Sequence, residues 1–152
     1  MNGKIHLCGP GEGLPLAMSD GIHTVKAGAE HTGSVYEVFE VDAPRAPAAP
    51  PHRSPWAGTM YVLDGAVTVQ ADGETHDLGP GAAITIPAQC AFTFEVTTEN
   101  ARLLAVTTGD GAGRFFADFA ATVPADRPLE EVLPRLLEVT RRHGVSIAEP
   151  GS

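Results

Sequence analysis

Glycine and proline make up 17 and 13 of the 152 residues. They are scattered as punctuation between short apolar runs, and this constrains the fold more than any other feature of the chain. Many short strands joined by turns need such breakers. The runs are Lys4–Leu7, His23–Lys26, Ser34–Val41, Thr59–Leu63, Ala66–Gln70, Glu74–Asp77, Ala83–Ile86, Phe92–Val96 and Leu103–Thr107. They are rich in Val, Ile, Thr, Phe and Tyr, the residues that suit a half-buried pleated surface. Asp64-Gly65 separates two of them by two residues and predicts a hairpin, because both residues tolerate positive φ. Ala71-Asp72-Gly73 and Gly79-Pro80-Gly81 mark two further turns. The Pro-rich segment Ala43–Pro55 reads as an extended loop joining two sheets.

The last third changes character. Gly111–Ala121 sets Phe115, Phe116 and Phe119 on one helical face, with Asp110 as N-cap. Leu133, Leu136, Leu137 and Thr140 form a second stripe at helical spacing. Pro134 suits the first turn of a helix, so that helix is expected to start there. Arg141, Arg142 and His143 complement the dipole of its last turn, and Gly144 is a natural residue to follow it. The expectation is one all-β domain over 1–152, a barrel or sandwich core at about 20–108 and two helices within about 111–144 that cover part of it.

Ten basic against 19 acidic residues give a net charge of −9. Without a basic cluster, that balance argues against nucleic acid and anionic membranes as partners. The apolar stretches fall far short of the ~20 residues of a membrane span. The start MNGKIHLCGPGEG lacks the apolar stretch of a secretory leader. Cys8 and Cys90 lie far apart, with no disulfide framework and no zinc spacing. A cytoplasmic protein with reduced thiols is expected.

Pro50–Gly65 (PPHRSPWAGTMYVLDG) and Leu78–Phe94 (LGPGAAITIPAQCAFTF) resemble the two motifs of the cupin superfamily, G-x5-H-x-H-x3/4-E-x6-G and G-x5-P-x-G-x2-H-x3-N. The small, quercetin-dioxygenase-like single-domain cupins are the most similar in look, down to the tail Arg141-Arg142-His143-Gly144-Val145. The resemblance implies a jelly-roll β-barrel with a central pocket. It also locates the metal positions. The two motif histidines fall on His52 and Ser54, the glutamate on Gly58 and the second-motif histidine on Phe92. The second-motif glycine falls on Gln89 and its asparagine on Val96, and Ala46 stands in place of the first-motif glycine. One ligand of four survives. A catalytic divalent metal needs about three protein ligands, so no metal and no other cofactor is expected.

If the motif positions point inward, alternation places Gly58, Met60 and Val62 in the interior together with Phe92, Phe94 and Val96. His52, Ser54, Trp56 and Gln89 then stand at the pocket wall and mouth, giving an apolar, aromatic cavity with a few polar groups. Met60, Val62 and Phe94 serve equally well as filling for a narrow barrel. On Ser34–Val41 one phase carries Glu37 and the other Tyr36 and Glu40, so a carboxylate faces inward in either register. His6, His23, His31, His76 and His143 have no mutual spacing that suggests a site.

The functional expectation is a metal-independent cupin enzyme acting on a hydrophobic, natural-product-like intermediate by cyclisation (a pericyclic one included), isomerisation or dehydration. His52 and Glu37 are its candidate acid/base residues. Tyr36, Ser54, Trp56, Met60, Gln89, Phe92 and Phe94 are its candidate substrate contacts. A non-catalytic small-molecule binder and a dioxygenase-like enzyme with atypical metal ligands are the alternatives. The resemblance also implies a homodimer.

Overall fold

The computed structural model describes residues 3–148. Strands β1 (Leu14–Met18) and β2 (Gly21–Ala27) form a hairpin, followed by a single helical turn, α1 (Ala29–Thr32). The sheet continues through β3 (Tyr36–Ala46), β4 (His52–Arg53), β5 (Gly58–Asp64), β6 (Val67–Ala71), β7 (Glu74–Leu78), β8 (Ala83–Ile86) and β9 (Phe92–Thr108). Helices α2 (Gly111–Thr122) and α3 (Leu129–Arg142) and the short β10 (Ser146–Ile147) complete the described chain. All pairings are antiparallel, and the strands curl into one jelly-roll sheet. Among the described residues no helix is long and apolar enough to cross a membrane.

The 17-residue β9 is the spine of this sheet. It merges the expected runs Phe92–Val96 and Leu103–Thr107. One of its edges pairs with β3 and β4, the other with β5 and β6. Asp64-Gly65 is consequently not a hairpin. β5 runs alongside Arg102–Thr107 and β6 continues in the same direction along Phe92–Val96, so the Asp-Gly pair forms the corner between two segments of one path. Gly65 has φ 79°, and a Cβ there would lie 2.3 Å from the Asn100 carbonyl oxygen. The glycine answers to this close approach as well as to its dihedral. A two-residue hairpin turn does form at Asp72-Gly73, with φ 53° and 77°, between the paired Ala71 and Glu74.

Three other expectations change. Lys4–Leu7 is not a strand: it has no partner, and Ile5 and Leu7 stand exposed. β1 forms instead, with Pro15 tolerated because β1 pairs on one side only. Helix α3 starts at Leu129, with Pro128 as N-cap, and carries Pro134 inside it on an exposed position. The hydrogen bond that Pro134 cannot donate would have gone to the Glu130 carbonyl, in a solvent-facing first turn where water can replace it.

The barrel has two levels. At one end Val62, Val67, Val69, Val96, Ala101 and Leu103 fill the interior completely. At the other end the barrel is roofed by the helices, whose own core joins Phe115, Phe119, Val132 and Val139 to Met18 of β1. The Asp118 carboxylate holds the two helices together, accepting hydrogen bonds from the Arg142 guanidinium at 3.0 and 3.1 Å and lying 2.8 Å from His143 Nε2.

Glu37 fastens this roof to the sheet. On β3 the phase Glu37, Phe39, Val41 and Ala43 faces inward and is buried. Glu37 Oε1 accepts the Gly113 backbone N–H at 3.0 Å, in the first turn of α2. A Cβ at position 113 would lie 2.1 Å from Oε2, so any other residue there would displace the Glu37 carboxylate. Asp110 occupies the N-cap position but its side chain does not cap; it pairs with Arg114 at 3.1 Å. A carboxylate supplied from the sheet thus satisfies an orphan N–H at the positive end of the helix.

Replacing Glu37 by Ala should cost about 1–3 kcal/mol in chemical denaturation, the penalty of leaving a buried donor without a partner. Burial raises the Glu37 pKa from its ordinary 4.5, against the opposing Gly113 hydrogen bond. An acid whose folded pKa is raised binds more protons in the native state, so its contribution is complete below 4.5 and is lost as pH rises through the folded value. The stability difference between wild type and Glu37→Gln should therefore shrink as pH increases above 4.5.

Candidate functional site

Above the filled level lies a cavity of about 370 Å³, at the lower end of the ~300–1,000 Å³ typical of small-molecule sites. Alternation along the strands builds it. Gly58 and Met60 face it from β5, with Val62 next in phase closing the floor. Phe92 and Phe94 face it from β9, with Val96 below them. His52 stands opposite Phe92 in the β4–β9 register, the rings 4.7 Å apart and tilted by 48°. Ser54 and Trp56 follow on the same wall. Trp56 leans toward Phe115 of the roof, with ring centroids 5.9 Å apart.

The four positions to which the resemblance assigns metal ligands, His52, Ser54, Gly58 and Phe92, thus line one space. Their chemistry does not suit a cation: one imidazole, one hydroxyl, a hydrogen atom and a phenyl ring. Among the described residues no group of three His, Cys, Asp or Glu side chains is arranged to hold a metal ion.

Three candidate residues lie outside the cavity. Tyr36 is on the outward phase of β3 and exposed. Glu37 faces inward, but its carboxylate is engaged by the α2 backbone. Gln89 is exposed in the turn before β9 with φ 65°, and its backbone N–H donates to the Ser54 carbonyl at 2.8 Å. Gln89 keeps the left-handed backbone of the motif glycine without being one. Tyr36 and Gln89 therefore make no cavity contact, and Glu37 acts on the fold.

The structure adds a polar corner that the one-dimensional pattern did not reveal. The turn between β1 and β2 brings Asp20 and His23 into the cavity wall beside His52. Asp20 Oδ1 lies 3.0 Å from His23 Nε2. Burial pushes the Asp20 pKa up, but the hydrogen bond to His23 and its charge, with a smaller contribution from His52, outweigh this and leave it below the ordinary 3.8. An ionised carboxylate only accepts, so His23 carries its proton on Nε2. His23 packs edge-on against Phe116 at 4.6 Å, and its Nδ1 is buried without a partner. The Thr107 hydroxyl, also in the cavity wall, is the other buried orphan among the described residues. Burial holds the His52 pKa below 6.5, against the attraction of Asp20. The i, i+3 spacing of Asp20 and His23 was the available signal, but it gains meaning only once the hairpin places the pair opposite His52.

The remaining wall is apolar and comes from the helices. Phe115, Phe116 and Phe119 of α2 meet Leu133, Leu136 and Leu137 of α3 over the opening. A curled antiparallel sheet with a helix-roofed, aromatic cavity defines a barrel protein built around a small-molecule-sized space. The family model of the cupin domain matches residues 38–107. Among curated proteins, quercetin 2,3-dioxygenase of Bacillus subtilis is 25% identical over 97 residues, covering 63% of this chain and 29% of that protein. The chain thus spans less than a third of that relative's length. Among solved structures, KdgF from Halomonas sp. matches with a TM-score of 0.62 at 17% identity, covering 70% of this chain and 94% of that one. An RmlC-like cupin from Shewanella frigidimarina gives 0.60 at 14%, covering 72% and 95%. Ectoine synthase from P. lautus gives 0.56 at 10%, covering 63% and 69%. At these identities the structures speak to fold alone. The family-model match over residues 38–107, the quercetin 2,3-dioxygenase similarity and the fold together support a member of the cupin superfamily.

Two outcomes check this geometry. The triple variant Ser54→His, Gly58→Glu, Phe92→His rebuilds the motif ligand set on the existing wall. A Cβ at Gly58 meets only the Val106 carbonyl at 3.3 Å and a Thr107 methyl at 3.5 Å. Elemental analysis should find about one divalent ion per chain in that variant and far less in the wild type. Gln89→Gly should stabilise the protein by about 1 kcal/mol, the cost of a side chain in the left-handed region, and leave ligand binding unchanged.

Proposed function

We propose that this cupin is a metal-independent enzyme acting on a hydrophobic, natural-product-like intermediate by proton-transfer chemistry: a cyclisation, isomerisation or dehydration within the barrel. The observation that carries the reading is a single acid/base corner in an otherwise apolar cavity, with His52 beside the Asp20–His23 pair. An imidazole kept in its neutral form by burial can accept a proton at physiological pH. The ionised Asp20 nearby stabilises the imidazolium that results. The donor set at the motif's metal positions offers too few ligands for coordination chemistry.

The aromatic wall supplies the second half of the mechanism. Trp56, Phe92 and Phe94 present flat apolar faces that fix the shape of a flexible substrate. Holding reacting atoms in a near-attack arrangement contributes on the order of 7–11 kcal/mol in favourable systems. A ligand that fills the cavity displaces water and so strengthens each dipole in the corner. The roles of the wall then divide: His52 moves the proton, Ser54 offers a hydroxyl to an oxygen of the substrate, and the rings position its body.

The test is a screen of apolar polycyclic and polyene compounds by quenching of Trp56, the only tryptophan, followed by mass-spectrometric product analysis with and without chelator. Turnover that survives chelator and falls about 10²–10⁴-fold in His52→Ala supports acid/base catalysis. A loss of only a few-fold indicates a ring closure driven by shape. Binding without turnover would make the protein a small-molecule binder, and turnover that requires an added metal would overturn the proposal.

A further inference from the structure

The polar corner restricts what kind of molecule can occupy the cavity. This inference rests on the reading of the cavity as a ligand site and goes beyond it to the chemistry of the ligand's polar end. We infer that the cavity takes a hydrophobic ligand whose polar end donates hydrogen bonds, a hydroxyl or an ammonium group, and that it rejects the corresponding carboxylate.

The argument begins with the sign of the charge. Asp20 lies in the cavity wall with 37% of its side chain bare. Its Oδ1 is occupied by His23, which leaves the second carboxylate oxygen without a side-chain partner. No lysine or arginine lines the cavity. An anionic ligand would therefore bring a second negative charge into an apolar enclosure that has only imidazoles to offset it, and like charges brought together there repel strongly.

The second observation is the free side of that carboxylate. Asp20 Oδ1 is engaged by His23 Nε2, and an ionised carboxylate can only accept. A ligand O–H or N–H can donate to the second oxygen, and a ligand carboxylate cannot.

The remaining groups facing the corner are consistent with this sign. His52 is held in its neutral form by burial and adds no fixed positive charge. Ser54 contributes a hydroxyl to the cavity wall, and Phe116 packs edge-on against His23. The aromatic rings add a negative π-face that favours an ammonium end over an anionic one.

The experiment uses three probes with one apolar body, naphthylethanol, naphthylethylamine and naphthylacetate, titrated calorimetrically into the intact protein near pH 8. The alcohol and the amine should each bind at least 10-fold more tightly than the carboxylate. Asp20→Asn keeps the shape and removes the charge, and it should narrow that gap by at least 10-fold. Arg45→Gln, a charge change on the outer surface far from the wall, should leave the gap as it is. Equal or tighter binding of naphthylacetate, or a gap unchanged in Asp20→Asn, would overturn the inference while leaving the cavity as a ligand site. Absence of binding by all three probes would overturn the ligand-site reading itself.

Discussion

Everything in this protein depends on β9 being paired along both edges over most of its length. A strand bonded on both sides has no freedom of register, because a one-residue slip would turn every core side chain toward solvent. That lock fixes which residues of β9 and its neighbours face the interior. It places Val96, Ala101 and Leu103 in the filled level and Phe92, Phe94 and Thr107 in the open one. The same register sets His52 against Phe92 and Gly58 against Thr107. The cavity is thus a consequence of sheet pairing.

What keeps the upper level hollow is the choice of side chains and the placement of the helices. Gly58 leaves space where the superfamily motif has a glutamate. The helices span the opening with Phe and Leu, and do not insert into it. Their position is held from beneath by Glu37, whose carboxylate reaches from the sheet to the first turn of α2. A residue that reads as an acid/base candidate in the strand pattern is the bolt of the roof. A buried carboxylate with a backbone donor in reach is already engaged, and a reaction would have to compete with that bond.

Loss of ligand residues at the metal positions leaves a question of where polarity now resides. It resides one element away, in the turn of the first hairpin, where Asp20 and His23 join His52. The corner combines an ionised carboxylate and two imidazoles beside an aromatic wall, and the buried His23 Nδ1 and Thr107 hydroxyl go without partners. Such unsatisfied groups carry a free-energy cost in the fold.

The sequence alone determined the all-β class and the helical tail, and its resemblance to the cupin motifs implied the inward phase of β5 and β9 and the non-ligand residues at three of the four metal positions. These are local properties: alternation with a period of two, breaker residues between strands, helical spacing of Phe and Leu, and residue identity within a motif. Tertiary structure alone decided the path at Asp64-Gly65, because an Asp-Gly pair bends a chain equally well between hairpin partners or around the corner of a shared neighbour. It alone decided that Glu37 belongs to α2, 76 residues further along the chain, and that Asp20 and His23 belong to the cavity. Those assignments depend on distances between segments remote in sequence, and such distances arise only when the sheet closes and brings the segments together.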